Sequence, residues 1–221
     1  MGYTITNQGI IVYLANLKCD NGKAKFYSCL RALCNWLHRS GYITENPIKQ
    51  VSPPRIQKRL LPVINQKQFE ALMNYCLCTR DEALISLLWY SGMRISEAVS
   101  IRTNDFNWEE GTAIVLGKGN RYRKCLAGNG LIRQWFNEHD SFAITINGAQ
   151  AMFKTLKAES GIACNVHSFR RGFCVHQVKS GLSTQVAQAL GGWESITMVE
   201  RYSRSFDFDG ALELYRKVNG V

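Results

Sequence analysis

Thr112-Ala-Ile-Val-Leu-Gly-Lys-Gly-Asn-Arg-Tyr-Arg-Lys-Cys-Leu126 is the stretch on which the fold class turns. Two β-prone runs, 112–116 and 121–126, are joined by Gly117-Lys-Gly-Asn120, and glycine with asparagine supplies the positive φ angles that a tight antiparallel turn needs. On either side the apolar residues recur at helical spacing. Upstream, 4–18, 23–40, 66–78 and 83–90 read as helices, the second with Phe26, Leu30, Leu33, Cys34 and Leu37 as its apolar stripe. Another begins at about Arg94, which places that arginine in a first turn whose open amides favour an anion. Downstream, 130–137, 148–159, 168–179 and 183–190 read as helices, followed by one carrying Tyr202 and an amphipathic piece, 207–218, with Phe208, Leu212 and Tyr215 along one side. One hairpin among many helices predicts a mainly α protein with a small antiparallel β-sheet (α+β).

The chain has 221 residues, enough for one domain of ordinary size and a smaller appendage. Gly41 and Asn46-Pro47 close the second helix, and Ser52-Pro-Pro-Arg-Ile-Gln-Lys-Arg59 combines prolines with three cations, so the division is expected there. The expected parts are a helical domain over 1–52, a basic linker over 53–60 and a larger domain over 61–221. With 27 Lys+Arg against 17 Asp+Glu the net charge is +10, which suits a polyanionic partner. Eight cysteines form no C-x-x-C and the four histidines have no finger spacing, so reduced, mostly buried thiols and no metal or other cofactor are expected. No run approaches the eighteen apolar residues of a membrane span, and the chain is expected to be cytoplasmic, associated with the nucleoid.

Cationic residues of several kinds precede one particular tyrosine. Arg94 lies one turn before Glu97, which can orient it. Lys118 sits at the hairpin tip and is followed by Arg121, Arg123 and Lys124, a basic hairpin suited to a groove or simply solvated. The Walker spacing and a following helix are both missing, which excludes a nucleotide loop. His167 and Arg170 are three apart and on a helix would reach one phosphate together, histidine exchanging a proton and arginine binding two oxygens. Arg171 faces another way, to the DNA backbone or to water. Arg55, Lys58 and Arg59 of the linker are further candidate DNA contacts. A phenol with a reference pKa of about 10 needs such cations and a proton acceptor before it can attack phosphorus. Taken singly, each of these elements also suits an ordinary structural role.

Their order carries more than any one of them. Leu190-Gly-Gly-Trp-Glu-Ser-Ile-Thr-Met-Val-Glu-Arg-Tyr202 resembles the C-terminal signature of the tyrosine recombinase (phage integrase) family, in which the nucleophilic tyrosine follows the Trp or His by nine residues, as Tyr202 follows Trp193. Ser91-Gly-Met-Arg-Ile-Ser-Glu97 resembles the first arginine box, Gly117-Lys-Gly119 the hairpin lysine, and His167-Ser-Phe-Arg170 the His-x-x-Arg box. Many members have histidine where this chain has Arg171, and a second histidine where it has Trp193. The resemblance implies an integrase-like catalytic domain preceded by a short helical domain, 1–52 being a partial core-binding domain. It implies that Arg94, Lys118, His167, Arg170, Trp193 and Tyr202 are catalytic, with a 3′-phosphotyrosyl intermediate. The implied partners are double-stranded DNA with inverted-repeat core sites, a homotetramer on that DNA and accessory DNA-bending proteins, with helix 207–218 either exchanged between protomers or packed within its own chain. Two alternatives stay open at this point: DNA relaxation of the type IB topoisomerase kind, and a non-catalytic DNA-binding regulator with a relic site.

Overall fold

The computed structural model describes residues 4–55, 61–117, 119–128, 130–203 and 208–220. The chain divides into two compact units, Met1–Leu60 and Leu61–Val221.

The first unit contains α1 (Asn7–Asn16), α2 (Asp20–Arg39) and a 3₁₀ turn at Pro47–Gln50. Thr6 caps α1 by accepting from the Gly9 amide, and Asn46 caps the 3₁₀ turn through the Ile48 amide. Ile10, Leu14, Tyr27, Cys34, Ile48 and Val51 form its core, and the Tyr27 hydroxyl donates to the Val51 carbonyl at 3.0 Å. The expected stripe of α2 is therefore partly displaced: Cys34 is buried and Leu30 packs on this core as expected, but not every member does. Tyr27 and Cys34 face inward, whereas Phe26 and Leu33 are exposed.

The second unit is built on α4 (Thr79–Ser91), whose Ala83 to Trp89 run is buried on all sides. Asp81 and Glu82 suit the positive end of its dipole, and Gly92 ends it in the left-handed conformation at φ 61°. Before it, α3 (Gln66–Met73) starts at a reciprocal capping box between Asn65 and Gln68. After it, α5 (Ile95–Ser100) leads to a three-stranded antiparallel sheet ordered β1 (Phe106–Asn107), β2 (Thr112–Gly117), β3 (Arg121–Leu126). The hairpin forms where the sequence places it, with Gly117 paired to Arg121 and Val115 to Arg123. The two-residue β1 was not anticipated. It is too short for an alternating pattern and exists only through its pairing with β2. The remaining helices are α6 (Gly130–Glu138), α7 (Ile146–Ser160), α8 (Val166–Lys179), α9 (Thr184–Gly191), α10 (Ile196–Ser203) and α11 (Phe208–Asn219).

Two apolar clusters organise this unit. The larger joins α3 to α8 and the sheet, and a smaller one gathers Phe173, Cys174, Ala187, Trp193 and Val199, with Tyr202 packed at its margin. Their common member is α8, which packs on α4, α9 and α10. Among the described residues no helix is long and apolar enough to cross a membrane.

Candidate active site

Asn165 places α8 by accepting from the backbone amides of His167 and Ser168, each at 3.0 Å. His167 thus stands in the first turn and Arg170 one turn further along the same side. Although Arg170 is only 7% exposed, it is not hidden in an apolar core. Its Nη1 donates to the Gly92 carbonyl and its Nη2 to that of Gly191 at 2.8 Å. Its guanidinium carbon lies 4.5 Å from the centre of the Trp193 ring, a cation–π contact. Burial pushes the Arg170 pKa down to about 10, with Arg94 and Arg123 adding to the fall and Glu97 and Tyr202 opposing it. It remains charged at neutral pH. Residues from the first arginine box, the hairpin and α10 thus act on one guanidinium.

Arg94 is the residue before α5 rather than a member of its first turn. Its backbone amide donates to Glu97 Oε2 at 2.7 Å and its Nη1 to Oε1 at 2.9 Å. Glu97 is almost fully buried, and Arg123 reaches the same carboxylate through Nη2 at 2.8 Å and Nε at 3.3 Å. Burial would raise this carboxyl's pKa, but the hydrogen bonds from Arg123 and Arg94 outweigh it and leave the group below the usual range. Removing one partner of such a buried pair costs about 3–5 kcal/mol.

The Leu190–Trp193 turn closes the site from the opposite side. Gly192 ends α9 at φ 63°, and a Cβ there would stand 2.8 Å from Arg123 Cδ, so both the angle and the space require glycine. Gln188 holds the turn by donating to the Trp193 carbonyl at 3.0 Å. Phe173 and Tyr202 both pack against the Trp193 ring, each with centroids 6.4 Å away, Tyr202 edge-on. His167 is exposed at its rim. Partial desolvation, then Arg171 and Arg170, lower its pKa, so the imidazole favours its neutral form.

Arg94, His167, Arg170, Trp193 and Tyr202 are therefore assembled from α8, α10, the start of α5 and the turn after α9, while Lys118, Lys58 and Arg59 lie outside the described residues. Two expected DNA contacts take other positions. Arg171 is 7% exposed and its Nε donates to the Pro62 carbonyl at 2.7 Å, so it is not solvated and the backbone it holds is the protein's own. Arg123 points inward to Glu97, because residues of β3 alternate and its partner Val115 is on the buried face. Lys124 is exposed and paired with Glu110, Arg121 is exposed at the start of β3, and Arg55 is exposed. Sequence reasoning missed the carbonyls of Gly92 and Gly191 as acceptors for Arg170. Gly92 lies beside the first box and Gly191 inside the last, which is the signal that could have suggested them. Cys174 is buried and its thiol is pushed up to about 11, unsuited to act as a nucleophile. Among the described residues no group of His, Cys, Asp or Glu is arranged to hold a metal ion.

A mainly helical domain sets Arg94, His167 and Trp193 near Arg170, with Tyr202 packed against the tryptophan, a set of groups suited to strand transfer. The phage integrase family model matches residues 62–207. The chain belongs to that family, the tyrosine recombinases, and is a site-specific DNA recombinase. Tyrosine recombinase XerD of Neisseria meningitidis serogroup B is 25% identical over 209 residues, covering 83% of this chain and 72% of that protein. XerC of Proteus mirabilis is 24% identical over 213 residues, covering 86% and 69%. The structure of XerH recombinase bound to palindromic difH substrate, in a post-cleavage complex, shares the fold with a TM-score of 0.76 at 19% identity, over 96% of this chain and 72% of that one. A λ integrase dimer bound to a COC′ core site gives 0.72 at 17% identity, over 92% and 67%. The matches do not favour the topoisomerase or regulator alternatives.

Proposed function

We propose that this chain cleaves and rejoins double-stranded DNA at specific sites, with Tyr202 attacking the scissile phosphate to form a 3′-phosphotyrosyl link and release a 5′-hydroxyl. The bond energy of the ester is kept in that link, so a 5′-hydroxyl from a second strand can displace the tyrosine and restore the backbone. The observation that carries this reading is Arg170, held by two backbone carbonyls and stacked on Trp193, which in turn packs against Tyr202. Those two hydrogen bonds use two of the five N–H donors of the guanidinium. The other donors, with Arg94, suit the non-bridging oxygens of a phosphate.

His167, favouring its neutral form, takes the phenolic proton. Trp193 limits water at the phosphorus and steadies the pentavalent state, and Lys118 protonates the departing 5′ oxygen. Preorganised charge of this kind is commonly worth about 10²–10³ in rate for each donor. Arg55, Lys58, Arg59 and Arg121 contribute contacts to the DNA backbone, and Met1–Leu60 acts as a core-binding module. DNA as partner is supported by solved relatives captured on their sites. Exchange between two duplexes calls for a homotetramer on inverted-repeat core sites, with α11 as the exchanged element and accessory bending proteins where the sites are distant.

The test is incubation with nicked suicide duplexes carrying candidate core sites, in the presence of a chelator. An SDS-stable protein–DNA adduct is expected; no adduct on any site, with binding retained, would overturn the cleavage mechanism.

A further inference from the structure

We propose that Arg123 is a positioning residue for strand cleavage: its pairing with Glu97 keeps the charge of Arg94 available to the phosphate and fastens hairpin β2–β3 to the Gly191–Trp193 turn. The inference rests on the cleavage reading above and adds to it a residue that the motif boxes do not contain.

Charge count is the first support. Glu97 accepts from Arg94 and Arg123 at once, so the buried trio carries one net positive charge. Without Arg123 the carboxylate would have Arg94 as its remaining cation, the pair would be formally neutral, and Arg94 would be drawn toward Glu97 and away from an incoming phosphate. Geometry is the second. A Cβ built on Gly192 would lie 3.0 Å from Nε and from Nη1 of Arg123, so this side chain is packed directly on the turn that presents the Gly191 carbonyl to Arg170. The third is an unmet donor. Among the described residues, Nη1 of Arg123 is the buried side-chain nitrogen that finds no hydrogen-bond acceptor. That nitrogen is not engaged by Glu97 and lies against the turn, 3.0 Å from where a Cβ on Gly192 would stand. The cation also acts beyond Glu97, because it contributes to the lowered pKa of Arg170.

The experiment measures adduct formation on a nicked suicide duplex at saturating DNA for the full chain, Arg123→Met, Arg123→Lys and Arg123→Met/Glu97→Gln, with DNA affinity measured in parallel. Misplacing a reacting group by about 1 Å costs about 10²-fold, and Arg123→Met should lose adduct rate on that scale while binding DNA nearly as well. Arg123→Lys keeps the charge but not the fork and should fall between. The double variant restores the single net charge at Arg94, so it should recover part of the loss. Because neutralising Glu97 also relieves the buried carboxylate and would restore stability in a merely structural role, rates are taken per folded molecule, where a stability change alone leaves them level. Wild-type rates in Arg123→Met would overturn the proposal. So would a loss confined to DNA affinity, or a double variant no faster than Arg123→Met. If the unaltered chain forms no adduct, the cleavage mechanism itself fails and the proposal falls with it.

Discussion

The two sides of α8 carry neighbouring arginines of equal burial, Arg170 and Arg171, each donating to backbone carbonyls. On one side Arg171 holds Pro62, the Ile64 amide donates to the Ser168 carbonyl at 3.3 Å, and a Cβ on Gly172 would meet the Ile64 carbonyl oxygen at 2.4 Å. That side is a fastening for the segment that opens the second unit. On the other, Arg170 is met by Trp193 and by the charges of Arg94, Arg123, Glu97 and Tyr202. Burial and hydrogen bonding alone therefore do not distinguish a structural arginine from a reactive one. Convergent charge does: Tyr202 acts on both arginines, but Arg94, Arg123 and Glu97 act on Arg170.

The largest effect expected on the reactive side is from Tyr202→Phe, which removes the attacking oxygen but keeps the ring against Trp193. Covalent capture of DNA should vanish while binding, measured by gel shift, persists. Next is Arg170→Lys, which retains a cation but cannot span the carbonyls of Gly92 and Gly191. Its single-turnover cleavage should drop about 10²–10³-fold. Across the helix, Arg171→Met should instead appear in denaturant unfolding. The Pro62 carbonyl loses its charged donor, a cost of about 1–3 kcal/mol, while cleavage per folded molecule stays within a few fold. If Arg171→Met proved as damaging to cleavage as Arg170→Lys, the distinction between the two sides would break.

A smaller effect would sharpen it. Burial first, then Arg171 and Arg170, hold the pKa of His167 below its ordinary value, so its neutral form persists into more acidic solution. As proton acceptor it should keep cleavage level as pH falls past about 6.5, the reference imidazole value, with the acid limb below that. Arg171→Met removes one of the lowering charges, so the pKa should rise and the acid limb move to higher pH. A limb that does not move would mean that His167 is not the titrating group.

How much of this was legible depended on whether the signal was local. The hairpin was readable because glycines and asparagine must take its positive φ angles, and Gly119 and Asn120 do, at 79° and 59°. The caps Asn65 and Asn165 and the stop at Gly92 are similarly written in neighbouring residues. The ordered boxes singled out Arg94, His167, Arg170, Trp193 and Tyr202, but not the way their side chains are held. That Arg123 faces inward follows from strand register, and that Arg171 faces inward follows from a contact across 109 positions. Composition shows both merely as cations. The partly displaced stripe of α2 has the same origin, since Tyr27 could be assigned inward only once Val51 had returned to meet it. Apolar spacing identifies a helix but leaves its buried side to tertiary partners.

The central claim, that Tyr202 is the residue the other groups serve, is tested most directly by isolating the adduct from a nicked suicide duplex and mapping the attachment by mass spectrometry. The account predicts the 3′-phosphate of the cleaved strand on the peptide containing Tyr202; attachment to any other tyrosine of the chain would contradict it.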